Sequence, residues 1–171
     1  VMRQKSAEHM TFSKQTSAHV TSVYEIDMTN VAKFRAAHQA DFQAKFGTKL
    51  TFMPFIFQAV TAAIREHRIV NSQVDGENII YKGDINLGMA VALDWGLIVP
   101  VIKNADTMDF AEFSAFYDEL IRKAKTNKLT VDDFAGVTVT LTNPGTIGTE
   151  RSVPRLMPGQ GAIIGVGSLT Y

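Results

Sequence analysis

Thr142 and Asn143 close the run VTVTLTN (137–143), and Pro144, Gly145 and Gly148 follow at once. A hydroxyl on the last residue of a strand, an amide beside it and backbone freed from crowding by glycine can together present hydrogen-bond donors to a ligand. Donors of that kind suit the oxyanion of an acyl transfer, where one well-placed donor contributes about 3 to 4 kcal/mol of transition-state stabilisation. Thr142 is the first candidate for that donor. The same residues can equally do no more than satisfy the backbone of their own turn, and residue types alone leave both readings open.

Other chemistries find less support. Gly159, Gln160 and Gly161 are followed by Ala162, Ile163 and Ile164, so Gly165 falls one position late for a dinucleotide-binding glycine pattern, and the run precedes a strand and does not open a helix. The sequence contains no phosphate-binding P-loop, no GxSxG elbow and no HExxH. Cysteine is absent, which removes thiol nucleophiles and zinc-thiolate sites, and His9, His19, His38 and His67 are too scattered to define a metal site, so no metal is expected. A lone histidine such as His19 at a strand's start is ordinarily a satisfied or exposed residue.

Several elements must position the turn. Met2, Ala7 and Met10 predict a short surface helix over Met2–Thr16, packed along one edge. The alternation of AHVTSVYEID predicts a strand from Ala18 to Asp27. Thr29 or Asn30 should cap a helix whose stripe of Val31, Phe34, His38, Phe42 and Phe46 enters the core, with His38 at its margin and Gly47 closing it. Thr51 should cap the next helix, with Pro54 in its first turn, Phe57, Val60 and Ile64 buried, and His67 at its end. Asp75 and Gly76 predict a hairpin between Ile69–Val74 and Ile79–Lys82. A second hairpin is expected from INLGMAVAL and LIVPVI around Asp94, Trp95 and Gly96, with Pro100 at an edge or bulge and Gly88 at a close backbone approach. Phe110, Phe113, Tyr117, Leu120, Ile121 and Ala124 mark an amphipathic helix ending near Asn127, and Thr130 caps a short turn. The run 137–143 then reads as a half-buried strand with Thr138, Thr140 and Thr142 on one face, ended by Pro144, and QGAIIGVG (160–167) is a second apolar run.

The whole is one α+β domain, a mixed or mostly antiparallel sheet covered by helices, without repeats or linkers. A chain of 171 residues, 46% apolar and 20% charged, can bury a sizeable core. Seventeen basic against seventeen acidic residues leave no field to attract nucleic acid, and no apolar run approaches a membrane span. The absence of cysteine fits a reducing compartment.

Four stretches, MRQKSAEHMTFSKQTSAHVTSVYEIDMT, LTFMPF, VNSQVDGENIIYKGDINLGMAVALDWGLIVPVIKNAD and LTNPGTIGT with PGQGAIIGVG, follow one another in the order found in a known family. Together they resemble the catalytic core of dihydrolipoamide acyltransferases, the E2 components of 2-oxo acid dehydrogenase complexes, essentially end to end. The last stretch is most similar to the E2-like domain fused to actinobacterial 2-oxoglutarate decarboxylase, and DWGLIVPVIKNAD resembles stand-alone E2 chains more.

The resemblance implies a chloramphenicol-acetyltransferase-like fold that trimerises, with the active site in a channel between subunits that coenzyme A and the lipoyl arm enter from opposite ends. It implies a histidine as general base on the thiol and a hydroxyl residue on the oxyanion, the position that Thr142 matches. Asn143, Gly145, His19 and Arg3 become candidate substrate-binding residues, His19 as a channel-lining residue and Arg3 as a partner for an aspartate. The DWG hairpin is expected to pack near the trimer interface. Implied partners are a homotrimer, a larger multi-trimer core, a lipoyl domain and the E1 and E3 components. The expected place is the cytoplasm, or the mitochondrial matrix in a eukaryote.

The sequence departs from the family in one respect: the base belongs to a DHRxxDG-type motif, and no HxxxDG occurs here. Val1 and Tyr171 read as cut ends, so the expectation is a fragment of an acyltransferase domain lacking its C-terminal strand and helix, inactive alone. The alternative is an E2-like scaffold without chemistry, and a third reading is a small-molecule O-acetyltransferase. The acyl group is acetyl, succinyl or branched-chain, with the fusion-like segment tilting towards succinyl.

Overall fold

Apolar residues at helical spacing explain the two helices that build the core, one opened by Pro54 in its first turn and the other by a capped start. In the computed structural model, which describes residues 2–170, α3 (Met53–Glu66) buries Phe57 and Ile64, and α4 (Phe110–Lys125) buries Phe113 and Leu120. The rings of Phe57 and Phe113 meet at 4.0 Å between centroids. Asp109 caps α4: its carboxylate accepts from the N–H groups of Ala111 and Glu112 at 2.8 Å, and Glu112 returns a bond to the Asp109 N–H. Such a cap contributes about 1 kcal/mol. The expectations for Val1, Tyr171 and the Met2 side chain lie outside the described residues.

The helices pack on a four-stranded sheet of order β6-β3-β7-β8, in which β3 (Leu87–Met89), β7 (Val139–Thr142) and β8 (Ile163–Gly165) run parallel and β6 (Val101–Ile102) pairs antiparallel to β3. The sheet is mixed, and the α+β class holds. Val139 and Leu141 of β7 join Leu87, Met89 and the α3 and α4 residues in one cluster. Period-2 alternation turns Thr138 and Thr140 to the opposite face. That face is also closed, because Thr140 donates to Gln160 Oε1 at 2.8 Å and both residues are buried. The expected half-buried strand is thus buried on both faces down to Thr142, as a strand with parallel partners on each side generally is.

The other strands form two separate hairpins, β1 (Ser72–Asp75) with β2 (Asn78–Tyr81) and β4 (Val91–Leu93) with β5 (Gly96–Ile98). The Asp75-Gly76 turn is as predicted, with Gly76 at φ 59°, but Arg68–Asn71 ahead of it is a 3₁₀ turn and not strand. The expected hairpin around Trp95 divides in two. Ala90 bonds to Leu141 O, and Pro100, lying between β5 and β6, accepts from Met89 N–H at 2.8 Å. Met89 and Val101 therefore join the main sheet while β4 and β5 swing away. Gly88 is required by crowding from side chains: a Cβ there would lie 2.7 Å from Val137 Cγ2 and 2.9 Å from Val99 Cγ1.

Three expectations for the N-terminal third are corrected. Residues 18–27 form no strand; they carry no regular structure, with Val20 93% and Tyr24 80% exposed, because alternation needs a neighbouring strand and none of the described residues supplies one. The stripe of α2 (Thr29–Phe46) is not core, since no residue of that helix is buried. Phe34, His38, Phe42 and Phe46 instead line an open apolar groove of about 380 Å³ with Phe55 and Phe110, and His38 stacks on Phe34 at 4.2 Å. In α1 (Met2–Thr16), Ala7 and Met10 are exposed and Ser13 is the buried contact.

Caps also shift. Asp27 Oδ1 accepts the Thr29 N–H at 2.8 Å, and Phe52 rather than Thr51 occupies the start of α3. Thr130 is confirmed: its N–H donates to Asp133 Oδ2 at 2.7 Å and its hydroxyl at 2.9 Å. That backbone bond is the largest influence holding the Asp133 carboxyl below its ordinary value. A lowered folded pKa stabilises above the unfolded value and is lost as pH falls through the folded one. Unfolding curves of Asp133→Ala and the parent chain should therefore differ at neutral pH and converge as the pH drops below about 4, the ordinary carboxylate range.

Candidate active site

Thr142 is the last residue of β7 and is paired with Gly165 of β8. Its carbonyl accepts the Val166 N–H at 2.8 Å. The three threonines of this strand are not equivalent. Thr138 Oγ1 accepts from Asn86 N–H and Thr140 Oγ1 donates to Gln160, whereas among the described residues Thr142 Oγ1 has no hydrogen-bond partner. It is half-buried. A hydroxyl at a strand end, partly withdrawn from water and uncommitted, is free to donate to a ligand atom.

The neighbours of Thr142 are committed. Asn143 turns its Nδ2 to Met53 Sδ at 3.1 Å, and its carbonyl accepts from Thr146 Oγ1 at 3.2 Å. Gly145 spends its N–H on Val166 O at 3.1 Å. A Cβ on Gly145 would overlap the Gly167 carbonyl and come within 2.6 Å of the Ser168 nitrogen. The glycine is there so that the turn after Thr142 can lie directly on the chain leaving β8. Gly148 closes the turn at φ 83°, with its N–H on Gly145 O at 3.0 Å. Of the side-chain donors expected at this turn, the Thr142 hydroxyl is the one without a hydrogen-bond partner among the described residues.

His19 and Arg3 lie on the N-terminal segment. Among the described residues neither is hydrogen-bonded to Thr142. His19 is half-buried, and both ring nitrogens meet backbone: Nδ1 lies 3.0 Å from Ser17 O, and Nε2 lies 3.1 Å from Leu156 N. Arg3 is exposed on α1. The structure adds residues that sequence reasoning passed over. Ser13, 1% exposed, donates to Leu156 O at 2.6 Å; nothing in a charged helix signals that serine. Gln160, noted only as part of a failed glycine motif, seals the buried face of β7 through Thr140. No group of three or more His, Asp or Glu able to hold a metal is found among the described residues, and no described helix is long and apolar enough to cross a membrane.

A family model for the 2-oxoacid dehydrogenases acyltransferase (catalytic domain) matches residues 1–171. The chain belongs to that family. Among relatives of this acyltransferase domain, a multifunctional 2-oxoglutarate metabolism enzyme of Mycobacterium sp. (strain JLS) is 48% identical over 134 residues, 73% of this chain and 11% of the relative. A dihydrolipoyllysine-residue succinyltransferase component of the 2-oxoglutarate dehydrogenase complex of Bartonella vinsonii subsp. berkhoffii is 40% identical over 165 residues, 96% of this chain and 40% of the relative. The acyltransferase chain thus spans well under half of these two relatives.

Solved structures agree on the fold. A probable dihydrolipoamide acetyltransferase of Listeria monocytogenes superposes with a TM-score of 0.95 at 34% identity, covering 99% of this chain and 72% of that one. The dihydrolipoamide acetyltransferase of Azotobacter vinelandii superposes with a TM-score of 0.93 at 32% identity, covering 97% and 69%, and its catalytic mechanism has been investigated through a serine, a histidine and an asparagine. The acyltransferase fold expected from the sequence is therefore the one observed.

Proposed function

We propose that this acyltransferase domain moves an acyl group between the thiol of dihydrolipoamide and the thiol of coenzyme A, with Thr142 as oxyanion donor. The observation that carries the reading is the uncommitted Thr142 hydroxyl on a strand whose other threonines are bonded. In the transfer, the attacking thiol gives up its proton and its sulfur forms a bond to the thioester carbonyl carbon, the carbonyl oxygen takes up the negative charge, and its collapse breaks the bond to the second sulfur, which leaves as a thiolate and takes up a proton. Thr142 would donate to that oxygen, stabilising the transition state more than the ground state. The attacking thiol, with an ordinary pKa of about 8.5, needs a base. The base that the family resemblance assigns to an HxxxDG motif is not in this sequence.

The name of the Bartonella relative, a succinyltransferase component, supports succinyl as the acyl group. Exposed apolar side chains on the β1–β2 hairpin, including Val74, Ile79 and Tyr81, and on the Trp95 hairpin support self-association, here as a homotrimer; a larger multi-trimer core, a lipoyl domain and the E1 and E3 components are the partners that membership of the family implies. A scaffold without chemistry is the second reading, motivated by the absence of an HxxxDG motif from this sequence.

The decisive assay follows thioester formation from succinyl-coenzyme A and dihydrolipoamide, with acetyl-coenzyme A in parallel, using a protein that contains this chain. Faster succinyl than acetyl transfer is expected. Transfer from neither donor would leave the scaffold reading standing, and transfer to hydroxyl acceptors alone would replace the thiol reading.

A further inference from the structure

Between Thr149 and Gln160 the chain returns from the turn after Thr142 to β8 without regular structure. This loop lies against the strand paired with Thr142, since a Cβ on Gly165 would come 3.0 Å from Ser152 Oγ and 3.7 Å from Pro154 Cγ. Besides the ion pair of Arg151 with Glu25, its side-chain hydrogen bonds to the N-terminal segment meet at one residue, Leu156. Ser13 Oγ donates to Leu156 O at 2.6 Å, and the Leu156 N–H donates to His19 Nε2 at 3.1 Å, so side chains from the N-terminal segment grip both polar atoms of that residue. A backbone N–H can only donate, so Nε2 carries a lone pair, and the ring proton sits on Nδ1, facing Ser17 O at 3.0 Å.

We propose that His19 is a positioning residue that, in its neutral form, clamps the 151–158 loop beside the Thr142 wall of the site and, on protonation, lets it go. An imidazolium would present an N–H to the Leu156 N–H, replacing a hydrogen bond by two opposed donors. The groups that touch the ring, Ser13 Oγ, Ser17 O and Leu156 N–H, are all uncharged. The ionisable side chains nearest along the packed segments are His9 and Lys14 on α1, Arg151 and Arg155 on the loop, and Glu25, which lies 3.5 Å from Arg151. Among the described residues no carboxylate contacts the ring; an imidazolium would keep Ser17 O at 3.0 Å and could turn to the lone pairs of Ser13 Oγ at 3.5 Å, but it could no longer accept from Leu156. Ser13, not being titratable in this range, keeps its bond to Leu156 O and holds that side of the residue when its N–H is freed.

The consequence for catalysis rests on the Thr142 reading; the clamp itself does not. Amide hydrogen exchange on the full chain, corrected for intrinsic rates, tests it at about pH 8 and about pH 5, either side of the range in which imidazoles titrate. Protection at Leu156 should fall by about tenfold on acidification in the parent chain, the loss of one hydrogen bond. In His19→Gln, whose amide oxygen can accept the same N–H at either pH, protection should stay high throughout. In His19→Ala it should be low throughout, while Phe57 and Leu141 remain protected in all three and report an intact core. Equal Leu156 protection at the two pH values in the parent chain, or equal protection in His19→Ala and the parent, would overturn the clamp. In the acyl-transfer assay, a loss in His19→Ala that His19→Gln recovers supports the positioning role. Unchanged transfer in His19→Ala removes that role, and absence of transfer in every form, with the exchange pattern intact, counts against the Thr142 reading alone.

Discussion

Replacing Thr142 by alanine is expected to lower kcat for acyl transfer by about 100- to 1000-fold, the loss that follows removal of one oxyanion donor, while the KM for coenzyme A changes little. Because Thr142 Oγ1 bonds to none of the described residues, its removal leaves no orphaned partner behind, and the folded state should be nearly as stable as before. A kinetic collapse without a thermodynamic one is the signature of a group reserved for the transition state. Thr142→Val, which keeps the shape and loses the donor, should resemble the alanine variant, and Thr142→Ser should retain most of the activity. If alanine leaves kcat within a few-fold of the parent, the hydroxyl is no oxyanion donor and the turn merely satisfies itself.

The second large effect is structural. Gly145→Ala should destabilise the chain by about 3 kcal/mol, the top of the range for overpacking. The obstacles to its Cβ are the Gly167 carbonyl group and the Ser168 nitrogen, which are backbone and cannot rotate aside. The turn would have to lift from the end of β8, surrendering the bond from Gly145 N–H to Val166 O. Gly148→Ala is the informative contrast. Nothing lies within 4 Å of its Cβ position, and its φ of 83° alone resists a side chain, at about 1 to 2 kcal/mol. Urea unfolding at neutral pH ranks the two. A Gly145→Ala midpoint equal to that of the parent would mean the turn is not pressed against the strand at all.

Legibility from sequence followed the range of the interactions involved. Helices α3 and α4 were readable because their determinants are local: Phe57 and Ile64, or Phe113 and Leu120, recur at helical spacing. The turn at Asp75-Gly76 and the cap at Thr130 were local too. Residues 18–27 alternate as a strand should, yet pairing is a property of two segments, and the described residues offer no second one. The stripe of α2 has the right period but lines an open groove, and none of its residues is buried. Thr142 was legible as a hydroxyl beside glycines; that it alone of three threonines is uncommitted depends on Asn86 and Gln160, 52 and 20 residues from the threonines they bind. Gly145 was noticed for the wrong reason, as freed backbone, when its use is to let two backbones touch.

The parallel pairings of β7 also bear on the order of events as the chain folds. Leu87 pairs with Val139 and Thr140 with Ile163, so the strand carrying Thr142 can be seated only after a long loop containing all of α4 and the Trp95 hairpin has closed. Loop closure of this kind is paid in chain entropy before any contact returns it, and non-local parallel pairing is slow. The helices can form early from their own signals. Thr142 acquires its surroundings late, and a chain arrested short of that step would show helical structure while having nowhere to hold an oxyanion.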